Sequence, residues 1–220
     1  MEPNRADTSG MTQTRHQRRY GRTRQRIIKA ARAVFAERGM SGIAIDQITE
    51  RADVGRGSFY YHFGSIDKLV QAIVDSIIDE LVERMERECA DKTELQDVLE
   101  ALIVAHIRYF DDRWQDFVLY YQGRAELTLA MPFEGIESPF LRYMKVIERL
   151  VGGAAGELAV DEQKLQRIAC SLAGFISGYY SFARIAPVGD NLEAELLPIR
   201  ASFVRSLVRF AGTESSANKK

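Results

Sequence analysis

Apolar residues recur along this chain with the spacing of an α-helix, and the pattern is clearest between residues 69 and 85. There the apolar side chains form doublets that repeat every four residues, while acidic and basic residues occupy the opposite side. The doublets are Leu69-Val70, Ile73-Val74, Ile77-Ile78 and Leu81-Val82, followed by Met85. The segment is predicted to belong to an amphipathic helix that begins near Ser65 or Asp67 and is about 35 Å long, at about 1.5 Å per residue.

Eight further segments show the same period and end at glycine, proline or polar residues. They are residues 23–38, 44–52, 56–63, 93–109, 114–129, 139–151, 161–186 and 196–211. Gly152 and Gly153 are expected to end the seventh of these nine helices. Pro198 is expected in the first turn of the last helix, where its missing N–H is tolerated. The pattern therefore predicts an all-α fold.

The latter half of the eighth helix is apolar on almost every side, and a helix of that kind has to be buried all round. One side of it can face the protein's own core while the other faces a second subunit. Gly174 and Gly178, spaced by four residues, leave room for a partner helix to approach. Together with the last helix, this surface predicts a four-helix contact in a homodimer. The residues expected at that contact are Leu172, Gly174, Gly178, Phe182, Phe203, Leu207 and Phe210.

Two short helices joined by a tight turn are predicted between residues 45 and 63. Gly55 can cap the second one, and Val54, Phe59 and Phe63 are expected to point inward. The side chains left on the outside end in hydrogen-bonding groups, and they belong to Arg56, Ser58, Tyr60, Tyr61 and His62. A helix-turn-helix whose second helix presents such groups is the arrangement that reads the major groove of DNA.

The segment formed by residues 48–63, ITERADVGRGSFYYHF, resembles the DNA-binding signature of TetR-type repressors. That signature usually has glycine at the position of Asp53, serine at that of Gly55 and lysine at that of Ile66, for which Lys68 is the candidate substitute. The Asp53 position often needs a positive φ, which aspartate adopts less readily than glycine. The resemblance implies an N-terminal three-helix DNA-binding domain and a larger helical domain that binds a small ligand and dimerises.

The charge distribution separates two such domains. Residues 1–65 contain 12 Lys and Arg against 6 Asp and Glu, whereas residues 66–220 contain 18 against 25. No acidic residue lies between Thr8 and Ala36, and we expect this basic run to lie along phosphates or in a minor groove, the alternative being a solvated tail. The predicted divisions are a disordered basic tail (1–20), a helix-turn-helix domain (21–66), a ligand-binding and dimerisation domain (67–212) and a polar tail (213–220).

DNA contacts follow from the resemblance and from the chemistry of each side chain. Arg56 is expected to contact base edges, guanine foremost, and Ser58 a base or a phosphate. Tyr60, Tyr61 and His62 are expected to hold phosphates and so to fix the depth of the helix in the groove. The expected DNA-binding residues are Arg18, Arg19, Arg22, Arg56, Gly57, Ser58, Tyr60, Tyr61, His62 and Lys68.

The fifth and sixth helices carry the aromatic residues that a ligand pocket would use. His106 is on the apolar face of the fifth helix, where a hydrogen-bonded core histidine and a ligand-facing histidine are both open interpretations. Tyrosine and tryptophan suit a pocket wall and an ordinary core alike, and the family resemblance favours the pocket. The candidate ligand-binding residues are His106, Tyr109, Phe110, Trp114, Phe117, Tyr120, Tyr121, Met144, Phe175 and Tyr179.

The sequence offers little for other chemistry, since it contains no phosphate-binding glycine loop, nucleophile elbow or H-E-x-x-H motif. With three histidines in all, and with Cys89 and Cys170 isolated, neither a metal site nor a cofactor is expected. The two thiols are interpreted as buried ones in a reducing cytoplasm. No apolar run approaches the roughly 20 residues that span a bilayer, so a cytoplasmic protein without a membrane partner is expected.

The favoured function is therefore a ligand-responsive, sequence-specific transcription regulator, and more narrowly a repressor, rather than an enzyme. Its partners would be a palindromic double-stranded DNA operator, a second copy of the chain, and a small effector of hydrophobic or aromatic character. Effector binding would favour a tilt of the long fourth helix that spaces two DNA-binding domains wrongly for DNA. The alternative is an all-helical small-molecule binder or enzyme whose basic N-terminus is incidental.

Overall fold

The computed structural model describes residues 15–40, 42–111, 113–127, 133–156, 158, 160–185 and 192–213. Over these residues the secondary structure consists of nine α-helices, which confirms the predicted all-α fold. They are α1 (Arg15–Arg38), α2 (Ile45–Ala52), α3 (Arg56–His62), α4 (Ile66–Cys89), α5 (Leu95–Asp111), α6 (Trp114–Glu126), α7 (Glu137–Ala154), α8 (Glu162–Ile185) and α9 (Leu192–Ala211). The chain forms two compact units, Met1–Ser65 and Ile66–Lys220.

One face of α1 builds the core of the first unit. Ile27, Ala31 and Phe35 are completely buried and Val34 is nearly so, at the helical spacing that predicted a helix over residues 23–38. Gly39 follows the helix with a φ of +85°, a conformation that glycine adopts without strain. Its N–H donates to the carbonyl oxygen of Phe35 at 2.8 Å, and this bond completes the last turn of the helix.

The start of α1 differs from the sequence-based expectation. The helix begins at Arg15 rather than Thr23, so the prediction of a disordered tail is wrong for residues 15–20. The hydroxyl of Thr23 donates to the carbonyl oxygen of Arg19 at 3.2 Å, which places this threonine inside the helix rather than at its N-cap. Arginine and glutamine, which fill much of this segment, are good helix formers. The remainder of the predicted tail, residues 1–14, lies outside the described residues, as do residues 214–220.

The core of the second unit lies around α5. This helix is buried on most sides and packs against α4, α6, α7, α8 and α9. The predicted apolar doublets of α4 are buried, apart from the half-buried Val82, and α4 also packs against α6 and α7. Ion pairs join the polar side of α4 to α7, where Arg142 contacts Asp79 at 2.7 Å and Asp75 at 3.2 Å. These pairs are partly exposed, so they contribute little to stability compared with the apolar contacts beneath them.

Two helices of the second unit have ends that the sequence pattern placed wrongly. α7 continues through Gly152 and Gly153 to Ala154, because a glycine near a helix end costs only about 1 kcal/mol relative to alanine. α9 begins at Leu192, so Pro198 lies inside the helix rather than in its first turn. The prediction failed there because it took the first apolar stripe residue as the start, although the preceding residues, LEAE, are good helix formers.

Candidate nucleic-acid interface

A residue in the left-handed backbone conformation forms the turn between α2 and α3. Asp53 has a φ of 49°, and it is the one non-glycine residue with a positive φ in the part of the chain that the structure describes. Its N–H donates to the carbonyl oxygen of Glu50 at 3.1 Å, and the N–H of Val54 donates to that of Thr49 at 3.0 Å. Gly55, in an extended conformation, then caps the start of α3 as predicted. Aspartate therefore occupies a position that normally selects glycine.

Arg26 of α1 holds this turn in place, a role that the sequence analysis missed. Its Nη2 donates to the carbonyl oxygens of Ala52 and Asp53, each at 2.7 Å, and to the carboxylate of Asp53 at 2.9 Å. A cation at the C-terminus of α2 also interacts favourably with the helix dipole. Arg26 lies within the basic run, and no local sequence pattern distinguishes an arginine that caps a helix from one that contacts phosphate.

The side chains of α3 and its flanks divide between core and surface mostly as predicted, although Val54, which was expected to point inward, is half-buried. Phe59 is completely buried and Phe63 nearly so, whereas Arg56, Gly57, Tyr60 and Tyr61 are exposed. Ser58 and His62 are half-buried. The exposed set presents a guanidinium and two phenolic hydroxyls from two successive turns of one short helix. DNA contact by these groups remains a prediction.

The guanidinium of Arg56 is paired within the first unit. Its Nε and Nη2 donate to the two carboxylate oxygens of Asp46, which lies in the first turn of α2. The hydrogen bond from Arg56 lowers the pKa of Asp46, and the same bond raises the pKa of Arg56. Both groups therefore stay charged at neutral pH. Sequence reasoning did not identify Asp46, because ten residues separate the two positions and no motif links them.

Aromatic contacts connect the start of α1 to the end of α3. The ring of Tyr20 lies 4.3 Å from that of His62 and 5.7 Å from that of Tyr61, measured between centroids. Burial, assisted by the nearby Arg24 guanidinium, lowers the pKa of His62, so this imidazole is neutral at pH 7. A neutral imidazole can hold a phosphate by donating one N–H, but it adds no positive charge. Arg24 itself stacks over the ring of Phe63, 5.1 Å from its centroid.

The remaining predicted phosphate contacts are on the surface. Arg15, Arg18, Arg19 and Arg22 line one concavity along the first turns of α1, and all four are exposed. Lys68 is exposed on α4 in the second unit, and Ile66, at the position where the TetR-type signature has lysine, is half-buried. The predicted arginines thus lie close together on one helix. Other basic residues between Thr8 and Ala36, such as Arg26, make intramolecular contacts instead.

The predicted ligand-binding residues lie in the second unit, but they do not form one wall. Aromatic ring contacts bring Phe110, Phe117 and Tyr120 together with Tyr180 of α8. Tyr109 is different, because its hydroxyl lies 3.4 Å from the carboxylate of Asp116, and Arg113 stacks on its ring. The buried members of the predicted set are His106, Tyr109, Phe110, Phe117 and Tyr120; the half-buried ones are Trp114, Met144, Phe175 and Tyr179; the exposed one is Tyr121.

His106 is a fully buried, fully hydrogen-bonded histidine. Its Nδ1 lies 2.6 Å from the carbonyl oxygen of Leu102, and its Nε2 lies 2.8 Å from the hydroxyl of Tyr143. Because a carbonyl can only accept, Nδ1 carries the proton and Nε2 accepts from the tyrosine. Burial lowers the pKa of His106 to about 4. The placement matches the core interpretation, and a ligand-facing role remains a prediction.

A chain of hydrogen bonds continues from this histidine. The hydroxyls of Tyr143 and Tyr120 are bonded to each other, and Tyr120 is bonded to the guanidinium of Arg124. Arg124 also donates to the hydroxyl of Ser177 at 2.9 Å, and Ser177 donates to the carbonyl oxygen of Ala173 at 2.7 Å. The polar chain formed by Arg124, Tyr120, Tyr143 and His106 crosses the core and joins α5, α6 and α7, while Ser177 ties it to α8.

The predicted dimer contact is only partly available on the surface. Phe182 is 71% exposed, Gly174 is exposed and Gly178 half-buried, and a Cβ added at either glycine would meet nothing within 4 Å. Leu172 and Leu207, in contrast, are buried inside the protomer, so their assignment to the contact is corrected. They lie on the core-facing sides of α8 and α9, which periodicity alone did not separate from the outer sides. The half-buried Phe203 stacks on Phe175 of α8, 4.3 Å away, and Phe210 is half-buried too.

The two cysteines also differ from each other. Cys89 is buried as expected, and burial raises its pKa to about 11. Cys170 is exposed, so the interpretation of two buried thiols is wrong for it; it lies one turn before Gly174 on the outer side of α8. Within the described ranges no group of three or more His, Cys, Asp and Glu side chains is placed to hold a metal ion. No helix there combines the length and apolar character of a membrane span.

Known proteins resemble this chain mainly in the segment that contains α2 and α3. A family model described as bacterial regulatory proteins, tetR family, matches residues 27–73. The chain is 46% identical over 54 residues to the HTH-type transcriptional regulator SrpR of Pseudomonas putida, which covers 24% of this chain and 25% of that protein. It is 28% identical over 115 residues to the HTH-type transcriptional repressor KstR2 of Mycobacterium tuberculosis, which covers 52% of this chain and 57% of that protein. The matches thus span about a quarter and somewhat over half of these relatives.

A solved structure extends the likeness to most of the chain. The structure of the ketosteroid transcriptional regulator KstR2 of Mycobacterium tuberculosis superimposes with a TM-score of 0.61 and 18% sequence identity. The superposition covers 91% of this chain and 98% of that one. At this identity the likeness concerns the fold, and it supports the arrangement of a helix-turn-helix followed by a larger helical unit.

Proposed function

The chain belongs to the TetR family of bacterial regulatory proteins, and on this premise we propose that it is a ligand-responsive repressor of transcription. Two copies bind a palindromic operator, and a small hydrophobic effector in the second unit releases them. The sign of regulation follows the relative KstR2, which is named a repressor.

The exposed side of α3 is the observation that carries this proposal. Phe59 fixes the helix to its own unit, which leaves Arg56, Tyr60 and Tyr61 directed outward. An arginine fork matches the O6 and N7 acceptors of guanine in the major groove. Tyrosine hydroxyls donate to phosphates on either side and set the depth of the helix in the groove. The exposed arginines of α1 add sequence-independent attraction to the phosphate backbone.

Dimerisation would supply a second DNA-binding unit for the other half-site of the operator. The outer side of α8 and α9 exposes the large apolar residues Phe182, Leu197 and Ile199, and the glycines of α8 leave space for another helix. Large apolar side chains exposed on two helices that pack together are typical of a protein–protein contact. A two-fold dimer requires a pseudo-palindromic site whose half-sites present successive major grooves.

The effector site is proposed among the aromatic residues of α5, α6 and α8. Phe110 and Phe117 contact each other and Tyr180, and half-buried Trp114 stacks on Phe117, so this cluster offers apolar contacts to a hydrophobic molecule. The polar chain, whose Tyr120 ring lies against Phe110, offers hydrogen-bonding groups to orient it. α4 follows α3 after only three residues. An effector that favours a tilted α4 would therefore shift the population toward dimers whose α3 helices are wrongly spaced for DNA.

A titration of labelled duplexes with the full-length protein tests the proposal. Genomic fragments, or duplexes selected from a random library, should be bound in preference to scrambled ones at moderate salt. Absence of any sequence preference would refute a regulator and favour an all-helical small-molecule binder or enzyme.

Two variants separate base reading from phosphate binding. Arg56→Ala should reduce the preference for one base pair per half-site by about 5- to 150-fold, which is what a bidentate arginine–guanine contact supplies. The double variant Arg18→Ala with Arg19→Ala should weaken binding to all duplexes alike. It should flatten the salt dependence by a slope of about 2 for each bound protomer, hence about 4 for the dimer, at about 0.9 for each phosphate that is no longer neutralised. Equal effects of both changes on every duplex would show that Arg56 does not read a base.

A further inference from the structure

Asp46 occupies one edge of the Arg56 guanidinium and leaves the other edge open. A guanidinium is a planar fork with five N–H groups. Asp46 accepts from Nε and Nη2, which form the side edge of that fork. The end edge, formed by Nη1 and the second N–H of Nη2, still has two parallel donors. Two parallel donors are what the O6 and N7 atoms of guanine accept in the major groove.

The pair also restricts the motion of Arg56. The arginine is exposed, and an unpaired exposed arginine samples many rotamers that it would have to give up on binding. A bidentate contact to a carboxylate fixes both the position and the plane of the fork. Asp46 is itself placed by the first turn of α2, a helix whose residues Ile48 and Ala52 are buried. The arginine is therefore presented from a rigid base before any DNA is bound.

Asp46 has a second effect, on unrelated DNA. An arginine paired with a carboxylate has little net charge to offer to a phosphate, and the carboxylate itself repels the backbone. The Arg56–Asp46 pair therefore attracts the phosphates of any DNA less strongly than an unpaired arginine would. The two N–H donors of the end edge remain able to bind one base. Discrimination between sequences improves whenever the competing complexes are weakened more than the correct one.

From this geometry we propose that Asp46 is a specificity-determining positioning residue, which holds Arg56 so that its free edge meets a guanine and which keeps it from binding phosphates. The inference rests on the proposed function, since it requires that α3 read DNA. The inference extends the set of residues that determine specificity to Asp46 of α2, which makes no base contact itself.

The test is a selection from a random duplex library with the full-length wild type, Asp46→Ala, Asp46→Asn and Arg56→Ala. Arg56→Ala identifies the base pair that the arginine reads. At that same pair, Asp46→Ala should lower the preference roughly three- to tenfold, a part of the roughly 5- to 150-fold that the arginine supplies. The other positions of the motif should be unchanged. Binding of Asp46→Ala to an unrelated duplex should strengthen. Its salt slope should steepen by about 0.9 for each bound protomer, the value of one additional neutralised phosphate, hence by about 1.8 for the dimer.

The chain offers a matched control in Glu37. This residue also accepts two hydrogen bonds from one arginine, from Nη1 and Nη2 of Arg51 at 2.7 and 2.8 Å. Here the carboxylate occupies the end edge of the guanidinium rather than its side edge, and neither residue belongs to α3. Glu37→Ala removes an exposed acidic partner of an arginine in the same unit, and it should leave the preference at every base pair as in the wild type. Asp46→Asn guards against a folding defect, because the amide keeps the shape of the side chain and one acceptor while it lacks the charge, so its effect should be intermediate.

Three results would overturn the inference while leaving the regulator intact. Asp46→Ala could keep the full preference at the Arg56 pair, which would mean that the arginine needs no support. It could lose preference at a neighbouring pair instead, which would make Asp46 a base reader. It could weaken all positions equally together with a lowered melting temperature, which would make its role structural. If the wild type selects no motif, the proposed function fails and the inference fails with it.

Discussion

The protonation of His106 gives the most quantitative prediction for the second unit. Burial lowers its pKa from 6.5 to about 4, so the folded protein takes up this proton at a much lower pH than the unfolded chain does. As the pH falls, protons therefore bind to the unfolded state first. The stability that the neutral histidine contributes is fully present above the unfolded pKa and is lost as the pH falls toward about 4. The total is about 3 kcal/mol, and about 2 kcal/mol of it is lost between about pH 7.5 and about pH 5.

His106→Gln isolates this contribution, because the amide provides a donor and an acceptor but does not titrate. The free energy of unfolding would be measured in urea at several pH values, with the fluorescence of Trp114 as the signal. Trp114 is the single tryptophan of the chain, and it stacks on Phe117 at 5.0 Å, so it reports on the second unit. Protein concentration has to be held constant, since dimerisation would add to the apparent stability.

The wild type should lose about 2 kcal/mol more than His106→Gln over that pH range, whatever the other titrating groups do, because they are common to both proteins. A parallel measurement of the His106 imidazole resonance by NMR should show no protonation down to about pH 5. Equal pH dependence in the two proteins, or a resonance that titrates near 6.5, would refute the burial argument and would indicate that water reaches the polar chain.

Three further predictions concern the turn and the proposed dimer. Arg26→Ala should lower the stability of the first unit by about 1 kcal/mol, because two carbonyl groups lose a charged donor that is partly exposed; Arg22→Ala, on the surface of the same helix, should have no measurable effect in thermal unfolding. Phe182→Ser should shift the proposed dimer toward monomer in analytical ultracentrifugation with unchanged helix content, whereas Leu141→Ser, a change at a similarly exposed apolar residue of α7, should not. The same shift in both variants would argue for general destabilisation. Cys170 should react with a thiol reagent faster in the Phe182 variant than in the wild type, and identical rates would place the contact elsewhere.

The parts of the fold that depend on local pattern were predictable from the sequence. The apolar doublets of α4 and the buried Phe59 follow from spacing, since a helix brings residues three and four apart to one side. The left-handed conformation of Asp53 followed from its place at the end of α2. Helix ends were less predictable, because Gly153 and Pro198 lower helix stability by amounts that neighbouring residues can offset.

The contacts that define the candidate interface could not be predicted in the same way. Arg56 with Asp46, and Arg26 with the end of α2, join residues on different helices, so they depend on how those helices pack. The basic run gave the net charge of α1 correctly, but it did not indicate which arginine would face solvent. Composition limits the number of cations near DNA, whereas packing decides which of them are able to bind it.

The contact between Arg26 and Asp53 also restricts the routes by which this turn can evolve. If Asp53 changes to glycine first, backbone strain is relieved while Arg26 keeps both carbonyl bonds, so the intermediate sequence is viable. If Arg26 changes first, an aspartate remains in a left-handed conformation without its stabilising neighbour. Descendants of this sequence should therefore retain Arg26 for as long as they retain Asp53, and the arginine should become variable only after glycine has appeared.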